Sequence, residues 1–283
     1  MPGTLYIVAT PIGNLEDITL RAVRMLREEV QLVACEDTRH SVKLLEHYGI
    51  HKPLLSYHEH NELARLPEIL AALERGENVA LISDAGTPLL SDPGYRVVSG
   101  AIARNIKVVP LPGPSAALAA LAASGLPTND FRFLGFLPPK AAARRKLLSE
   151  IAEHPGSVIA YESPHRILES LDDMAEILKD RPVVLARELT KLYEEFIRGS
   201  AESVKAQLIS NQAVRGEMTI VIGKRDEIEA DLDAEAEIGR LQREGASRMD
   251  AIKAVAKRMG LPKRKVYQLA EGQGSNQRDK RRG

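Results

Sequence analysis

Charged side chains cluster directly after an apolar run in the segment Cys35–Arg39, where they could act on a substrate. Asp37 or Thr38 could simply cap the next helix, because short polar side chains accept hydrogen bonds from helix N-termini. Glu36 and Arg39 are not needed for such a cap. These two residues are therefore the stronger candidates for substrate contact.

A second candidate is the loop Ser83–Gly94, which contains two aspartates, two glycines and two prolines. Loops of this length inside a compact domain are usually functional. The loop follows a predicted buried strand, and ligands of open α/β sheets bind beyond the carboxyl ends of the strands. We therefore expect a binding site there.

The segment Ser56–Glu62 brings two histidines, His58 and His60, close together in the chain. Two histidines at this spacing bind a metal only if both point to one side of an extended segment, and the spacing suggests no third ligand. We expect polar substrate contacts or helix capping instead, and no metal site.

Other strand-end segments are individually weak, and the common phosphate-binding and hydrolase motifs are absent. The chain has no G-x-x-x-x-G-K-[ST], no G-x-G-x-x-G after a strand, no G-x-S-x-G and no H-E-x-x-H, so P-loop and nicotinamide-binding Rossmann proteins are disfavoured. The remaining segments also fit plain turns or helix caps: Thr10–Asn14, Leu111–Ala116, Gly135–Lys140, Tyr161–Arg166, Arg187–Lys191 and Gly216–Thr219.

The elements that must position these segments alternate between strand and helix patterns. Strands are predicted at Thr4–Ala9, Gln31–Cys35, Asn78–Ser83 and Lys107–Leu111, with helical spacing between them, which favours a mostly parallel sheet. From Phe131 onward some strands adjoin without helices, which predicts a mixed sheet. The predicted fold is two α/β domains with a small C-terminal helical extension.

Composition supports this organisation. The 283 residues, 44% hydrophobic and 28% charged, exclude a disordered or fibrous chain. We expect domains at 1–125 and 126–225, a basic helical extension at 226–272 and a disordered tail at 273–283. No apolar run reaches the ~18 residues of a membrane span, and no signal peptide is recognised, so we expect a cytoplasmic protein without membrane contact. The lone Cys35 excludes an internal disulfide.

Charge is distributed unevenly along the chain. Residues 240–283 contain 13 lysines and arginines against 4 aspartates and glutamates, a net charge of +9, and because the whole chain is neutral the rest carries −9. Such asymmetry suggests a segment that binds a polyanion, although a solvated basic tail would look the same. Ser247 is expected to cap the start of a short helix, and Gly260 to end it in a turn before a second short helix, an arrangement that resembles a helix-turn-helix. The candidate contacts to a nucleic acid are Arg248, Lys263, Arg264 and Lys265.

Taken together, several of these segments resemble one group of proteins. They are T-P-I-G-N-L-E-D-I-T, C-E-D-T-R, S-Y-H-E-H-N-E, S-D-A-G-T-P-L-L-S-D-P-G, P-G-P-S-A, G-F-L-P-P-K and Y-E-S-P-H-R. In this order, from about Leu5 to Gly223, they resemble bacterial 2′-O-ribose methyltransferases of small-subunit ribosomal RNA. That group is part of the tetrapyrrole methylase superfamily.

The resemblance implies a function and a cofactor. It implies S-adenosylmethionine in a cleft between two α/β domains, usually in a homodimer, and methylation of a cytidine ribose hydroxyl in the decoding region of small-subunit rRNA, in the 30S particle. The superfamily's Gly-Asp-Pro reads Ser83-Asp84-Ala85 here, so Asp84 is carried over more firmly than its neighbours. By motif position, the implied cofactor contacts are Pro11, Asp84, Ala85, Gly86, Leu89, Ser115, Ala116, Tyr161, Glu217 and Met218.

The implied chemistry needs a proton acceptor, because a ribose hydroxyl is a poor nucleophile. A general base typically contributes ~10²–10⁴-fold. Within the matched motifs, Glu36, Asp37 or His58 are candidates for that base, and Arg39 and Lys140 for a clamp on phosphate or hydroxyl.

Two alternatives stay open at this point. A small-molecule methylase of tetrapyrroles belongs to the same superfamily but has no need of a segment with a net charge of +9. A DNA-binding regulator would use the terminal helices, with the α/β body as a ligand sensor.

Overall fold

The computed structural model describes residues 1–224, 234–258, 263, 264, 266 and 267. The chain divides into two compact units, Met1–Lys224 and Arg225–Gly283. The predicted turn at Gly260, the candidate Lys265 and the predicted tail lie outside the described residues.

The first half of the larger unit forms a five-stranded parallel sheet, as predicted. Its strands are β1 (Thr4–Val8), β2 (Leu32–Cys35), β3 (Leu54–Ser56), β4 (Val79–Ile82) and β5 (Lys107–Leu111), in the spatial order β3-β2-β4-β1-β5. All four pairings are parallel, so the carboxyl ends of the strands meet at one edge. β3 was not predicted, because three residues are too few to show a period.

Helices cover both faces of this sheet. They are α1 (Leu20–Glu28), α2 (Thr38–His47), α3 (Glu62–Glu74) and α4 (Tyr95–Ala103), and a fifth helix, α5 (Ala116–Ser124), follows β5. Side-chain caps explain where several of these helices begin. The Asp37 side chain accepts a hydrogen bond from the amide of Arg39 at the start of α2, and the Ser115 side chain accepts one from a backbone amide at the start of α5. One apolar core lies under α3 and α4 and another under α1 and α2.

The second half forms a mixed sheet, which confirms the predicted fold class. Its strands are β6 (Phe131–Phe136), β7 (Ser157–Glu162), β8 (Val183–Arg187), β9 (Glu195–Gly199) and β10 (Met218–Ile222), ordered β6-β7-β10-β8-β9. Only the β6–β7 pairing is parallel. The helices α6 (Ala141–Ile151), α7 (Ile167–Leu178) and α8 (Ala201–Ser210) share one apolar core with it.

The alanine-rich helix α5 joins the two halves. Ala117, Ala120 and Leu121 of α5 pack in one cluster with Ile159 of β7 and Val221 of β10. A helix of the first half therefore covers a face of the second sheet. The domain bounds expected at residues 125 and 225 stay predictions.

The smaller unit contains two described helices, α9 (Ala234–Arg243) and α10 (Arg248–Arg258). They pack through Ile238, Ile252 and Val255, and Val266 joins the same cluster. The Ser247 hydroxyl accepts from the amide of Asp250 at 3.2 Å, as expected of a helix cap. Among the described helices, none has the length and apolar character needed to cross a bilayer.

Candidate active site

A cavity of about 360 Å³ opens beside the carboxyl ends of the first sheet's strands. Eight of the ten predicted cofactor contacts line it: Asp84, Ala85, Gly86, Ser115, Ala116, Tyr161, Glu217 and Met218. Pro11 is buried but does not line the cavity. Leu89 does not line the cavity either and packs against the core of the first sheet. The binding roles of all ten residues stay predictions.

The loop Ser83–Gly94 is fastened to the end of β1. The amide of Thr10 donates to the carbonyl of Gly86 at 2.9 Å, and the amide of Gly86 donates back at 3.0 Å. Leu89 and Ser91 adopt positive φ values of 74° and 70° without being glycines. Strained backbone of this kind persists where surrounding structure fixes it, and it concentrates at functional sites.

Asp84 connects this cavity to a second pocket. Its Oδ1 accepts from the backbone amide of Asp37 at 3.1 Å, which ties the end of β4 to the end of β2. Asp84 lines both hollows. It is therefore the shared wall between a largely apolar cavity and a polar one.

The second pocket is open and polar, with a volume of about 490 Å³. The structure places four of the five predicted catalytic residues here, namely Glu36, Asp37, Arg39 and His58. The fifth, Lys140, lines neither hollow. It is exposed at the start of α6.

Within the pocket, Asp37 is committed to Arg39. The Arg39 guanidinium donates to both carboxylate oxygens, at 3.0 Å and 2.7 Å, and these bonds lower the pKa of Asp37 to about 2. A carboxylate with so low a pKa is a weak base near neutral pH. The Arg39 side chain is 87% exposed, so it can still reach an external anion.

Glu36 has the opposite electrostatic environment. Burial raises its pKa, and the neighbouring Asp84 carboxylate raises it further. Asp92, which lines the apolar cavity, has its pKa raised to about 6 by burial and by Glu36. Sequence reasoning missed Asp92, although it is the second aspartate of the Ser83–Gly94 loop.

The histidine segment does not form a metal cage. The rings of His58 and His60 meet edge to face with centroids 6.0 Å apart, and the amide of His58 donates to Asn61 at 2.8 Å. Across the part of the chain that the structure describes, no three His, Cys, Asp or Glu side chains are placed to hold a metal ion.

The sequence pattern of the Tetrapyrrole (Corrin/Porphyrin) Methylases matches residues 4–205, which is more than half of the chain. The chain belongs to this family. The predicted family and the prediction of a methyltransferase are thereby confirmed.

Three curated relatives of this methylase share the name Ribosomal RNA small subunit methyltransferase I. The protein from Micromonospora olivasterospora is 47% identical over 269 residues, covering 94% of this chain and 86% of the relative. That from Halalkalibacterium halodurans is 45% identical over 274 residues, covering 94% of each chain. That from Escherichia coli O157:H7 is 48% identical over 236 residues, covering 83% and 82%.

Solved structures share the fold of this methylase at lower identity. The methyltransferase CobJ is 18% identical with a TM-score of 0.59, covering 78% of this chain and 94% of its own. Uroporphyrin-III C-methyl transferase from Thermus thermophilus, complexed with S-adenyl homocysteine, is 18% identical with a TM-score of 0.54, covering 78% and 97%.

The turn after β7 supplies a further wall of the methylase cavity. The Glu162 carboxylate is buried and accepts from the amide of Ser163 at 2.7 Å and from the hydroxyl of Ser170 at 2.5 Å. It also pairs with the Arg166 guanidinium at 2.7 Å. These bonds fix Ser163 and Pro164, which line the cavity. Sequence reasoning gave no role to Glu162, because a carboxylate before a helix resembles an ordinary cap until its burial is known.

Proposed function

We propose that this methylase transfers a methyl group from S-adenosylmethionine to the 2′-hydroxyl of a cytidine ribose in the decoding region of small-subunit ribosomal RNA. One observation of the structure carries the proposal: an apolar cavity and an open polar pocket share the Asp84 side chain. The donor would occupy the first and the ribose the second. The name that the curated relatives share supports ribosomal RNA as the substrate class.

The residues of the cavity fit S-adenosylmethionine. Its volume of about 360 Å³ falls in the range of about 300–1,000 Å³ typical of small-molecule sites. Ala85, Gly86 and Ala116 let a ligand approach the backbone, and the φ of 82° at Gly86 disfavours any larger residue there. The Asp84 carboxylate offers a counter-charge to a cationic ligand. When bound, S-adenosylmethionine supplies an electrophilic methyl group on a positively charged sulfur.

Glu36 is the residue best placed to accept the proton of the ribose hydroxyl. Asp37 is paired with Arg39, whereas the Glu36 carboxylate is held by neither a cation nor an α-helix cap that the structure describes. Its raised pKa brings its basicity closer to that required near neutral pH. Asp84, fixed by the amide of Asp37, would orient the reacting groups, and such positioning can supply much of the rate.

Exposed cations would hold the RNA backbone. Arg39 lines the polar pocket and extends from it into solvent. Lys140, Arg248, Lys263 and Arg264 are also exposed. Each can neutralise a phosphate, which makes RNA affinity depend on salt.

We further propose that the methylase acts in the cytoplasm and that its substrate is the 30S particle. We also propose that it acts as a homodimer. Several large apolar side chains of the larger unit lie open to solvent, among them Leu192 (88% exposed) and Tyr95 (76% exposed). Exposed apolar surface favours association. Light scattering at the assay concentration tests this directly: twice the chain mass supports a dimer, and the single-chain mass refutes it.

The experiment that tests the function offers labelled S-adenosylmethionine to the full chain with different acceptors. Purified 30S particles, naked small-subunit rRNA, duplex DNA and a uroporphyrinoid are compared. Label incorporated into 30S particles or rRNA is the expected result. Label in the uroporphyrinoid alone, or in none of the acceptors while the cofactor binds, would refute the proposal.

A further inference from the structure

The smaller unit contains a groove that the proposed reaction does not use. It has a volume of about 360 Å³ and is lined by Met249, Ile252, Lys263, Arg264 and Tyr267. All five residues lie in the segment 240–283, which has a net charge of +9. The groove is therefore a candidate for contact with an anionic partner.

The floor of the groove is apolar and partly open. Ile252 is only 2% exposed and belongs to the core of this unit, whereas Met249 is 59% exposed and Tyr267 is 41% exposed. Val266, the residue before Tyr267, is fully buried, so it anchors the backbone beside Tyr267 to the core. An aromatic ring and a thioether side chain thus offer a contact surface on a fixed base.

The Tyr267 ring is held in orientation by a cation. The guanidinium carbon of Arg248 lies 5.7 Å from the centroid of the ring, within the range of a cation–π interaction. This contact supports one side of the ring. A flat ligand can stack on the other face of the ring, and an aromatic side chain has few rotatable bonds to fix on binding.

Charge at the rim is of one sign. Lys263 and Arg264 are exposed, and among the described residues that line the groove none is acidic. The nearby Asp250 is engaged by the Ser247 hydroxyl at 2.7 Å and by Lys253 at 3.0 Å. A matching ligand therefore has a flat, weakly polar part and a negative charge beside it.

We propose that this groove binds an unpaired nucleotide of RNA, with its base against Tyr267 and Met249 and its phosphates on Lys263 and Arg264. The inference rests on the proposed function, because the RNA in question is the methylase's own substrate. Bases inside a duplex already have both faces covered by their neighbours. The groove thus favours single-stranded RNA, which proteins commonly recognise by stacking.

The test measures binding of the full chain to a short labelled RNA without secondary structure, and to the same RNA annealed to its complement, over a series of salt concentrations. Tyr267→Ala should weaken binding of the single strand about five- to a hundredfold, the range expected for one lost stacking contact. It should leave the dependence on salt unchanged, and Tyr267→Phe should bind normally. Lys263→Ala and Arg264→Ala should each lower the log–log salt slope by somewhat less than one.

A matched control exists in the larger unit. Tyr193 is 61% exposed and also lies under a guanidinium, that of Arg215 at 5.9 Å, but it is not one of the residues that line the groove. Tyr193→Ala should leave RNA binding unchanged. Circular dichroism and cofactor calorimetry verify that every variant is folded.

Three results would overturn the inference. The first is that Tyr267→Ala and the unaltered chain bind the single-stranded RNA with equal affinity. The second is that Tyr267→Ala loses as much affinity for the duplex as for the single strand. The third is that Tyr267→Ala loses self-association but not RNA binding, which would make the groove a protein interface. Failure of the proposed function looks different. In that case the unaltered chain would label no ribosomal RNA, whatever residue 267 is.

Discussion

At the scale of single residues, Glu36 and Asp37 show how neighbouring carboxylates acquire different properties. Asp37 faces the Arg39 guanidinium, which lowers the pKa of Asp37 to about 2. Glu36 is partly buried beside Asp84, which raises its pKa. Sequence reasoning named both as candidate bases and could not choose, because the choice depends on which carboxylate a cation reaches in three dimensions.

Replacing Glu36 by glutamine should lower the rate of methyl transfer by about 10²–10⁴-fold, because the amide cannot accept the proton. S-adenosylmethionine affinity should stay within twofold, since Glu36 does not line the cofactor cavity. In the unaltered chain, the single-turnover rate should fall as pH drops through the raised pKa of Glu36, where the carboxylate becomes protonated.

The matched control is Asp37→Asn, which keeps a good helix cap but loses the ion pair with Arg39. Its rate should fall far less than that of Glu36→Gln. If Asp37→Asn were the slower variant, or if Glu36→Gln kept the full rate and its pH profile, Glu36 would not be the base.

At the scale of elements, strand ends were the most predictable part of the site. The rule that ligands bind beyond the carboxyl ends of strands led to Glu36 after β2 and to Asp84 after β4. Two further features could not be predicted this way. The helix α5 is apolar on all sides, so no periodicity indicated that it covers the second sheet. The role of Glu162 depends on burial, which no local pattern displays.

The turn between β7 and α7 should depend strongly on Glu162. Glu162→Ala leaves the Arg166 guanidinium, which is 25% exposed, with its hydrogen bond to Ser163 but without a carboxylate, so stability should fall by no more than the about 3–5 kcal/mol typical of a broken buried ion pair. It also frees the amide of Ser163, so S-adenosylmethionine affinity should fall. Chemical denaturation and calorimetry measure the two effects.

Asp172→Ala, on the helix α7 that follows this turn, is the control. Asp172 pairs with Lys205 at the surface, and surface pairs contribute about 0–1 kcal/mol. The free energy of unfolding of Asp172→Ala should therefore change by no more than about 1 kcal/mol, and its affinity for the cofactor should not change. Equal losses for Glu162→Ala and Asp172→Ala would show that the buried pair does not position the cavity wall.

At the scale of the whole molecule, charge separates the chain into an acidic body and a basic end. A chain that ends at Lys224 keeps every residue of both hollows and loses the segment with the excess of cations. It should bind S-adenosylmethionine normally. Its affinity for rRNA should fall and should depend less on salt, because each lost phosphate contact removes nearly one unit of the log–log slope. Identical slopes for the full and shortened chains would show that the basic end does not contact the RNA.

The central claim is that a methyl donor and a ribose meet on either side of Asp84. Its most direct test is mass spectrometry of nucleosides from 30S particles treated with labelled S-adenosylmethionine and either the unaltered chain or Asp84→Ala. The account predicts that the label is recovered in 2′-O-methylcytidine with the unaltered chain and is lost with the folded variant, which should also fail to bind the cofactor by calorimetry. Label recovered on a base, or undiminished 2′-O-methylcytidine from Asp84→Ala, would contradict it.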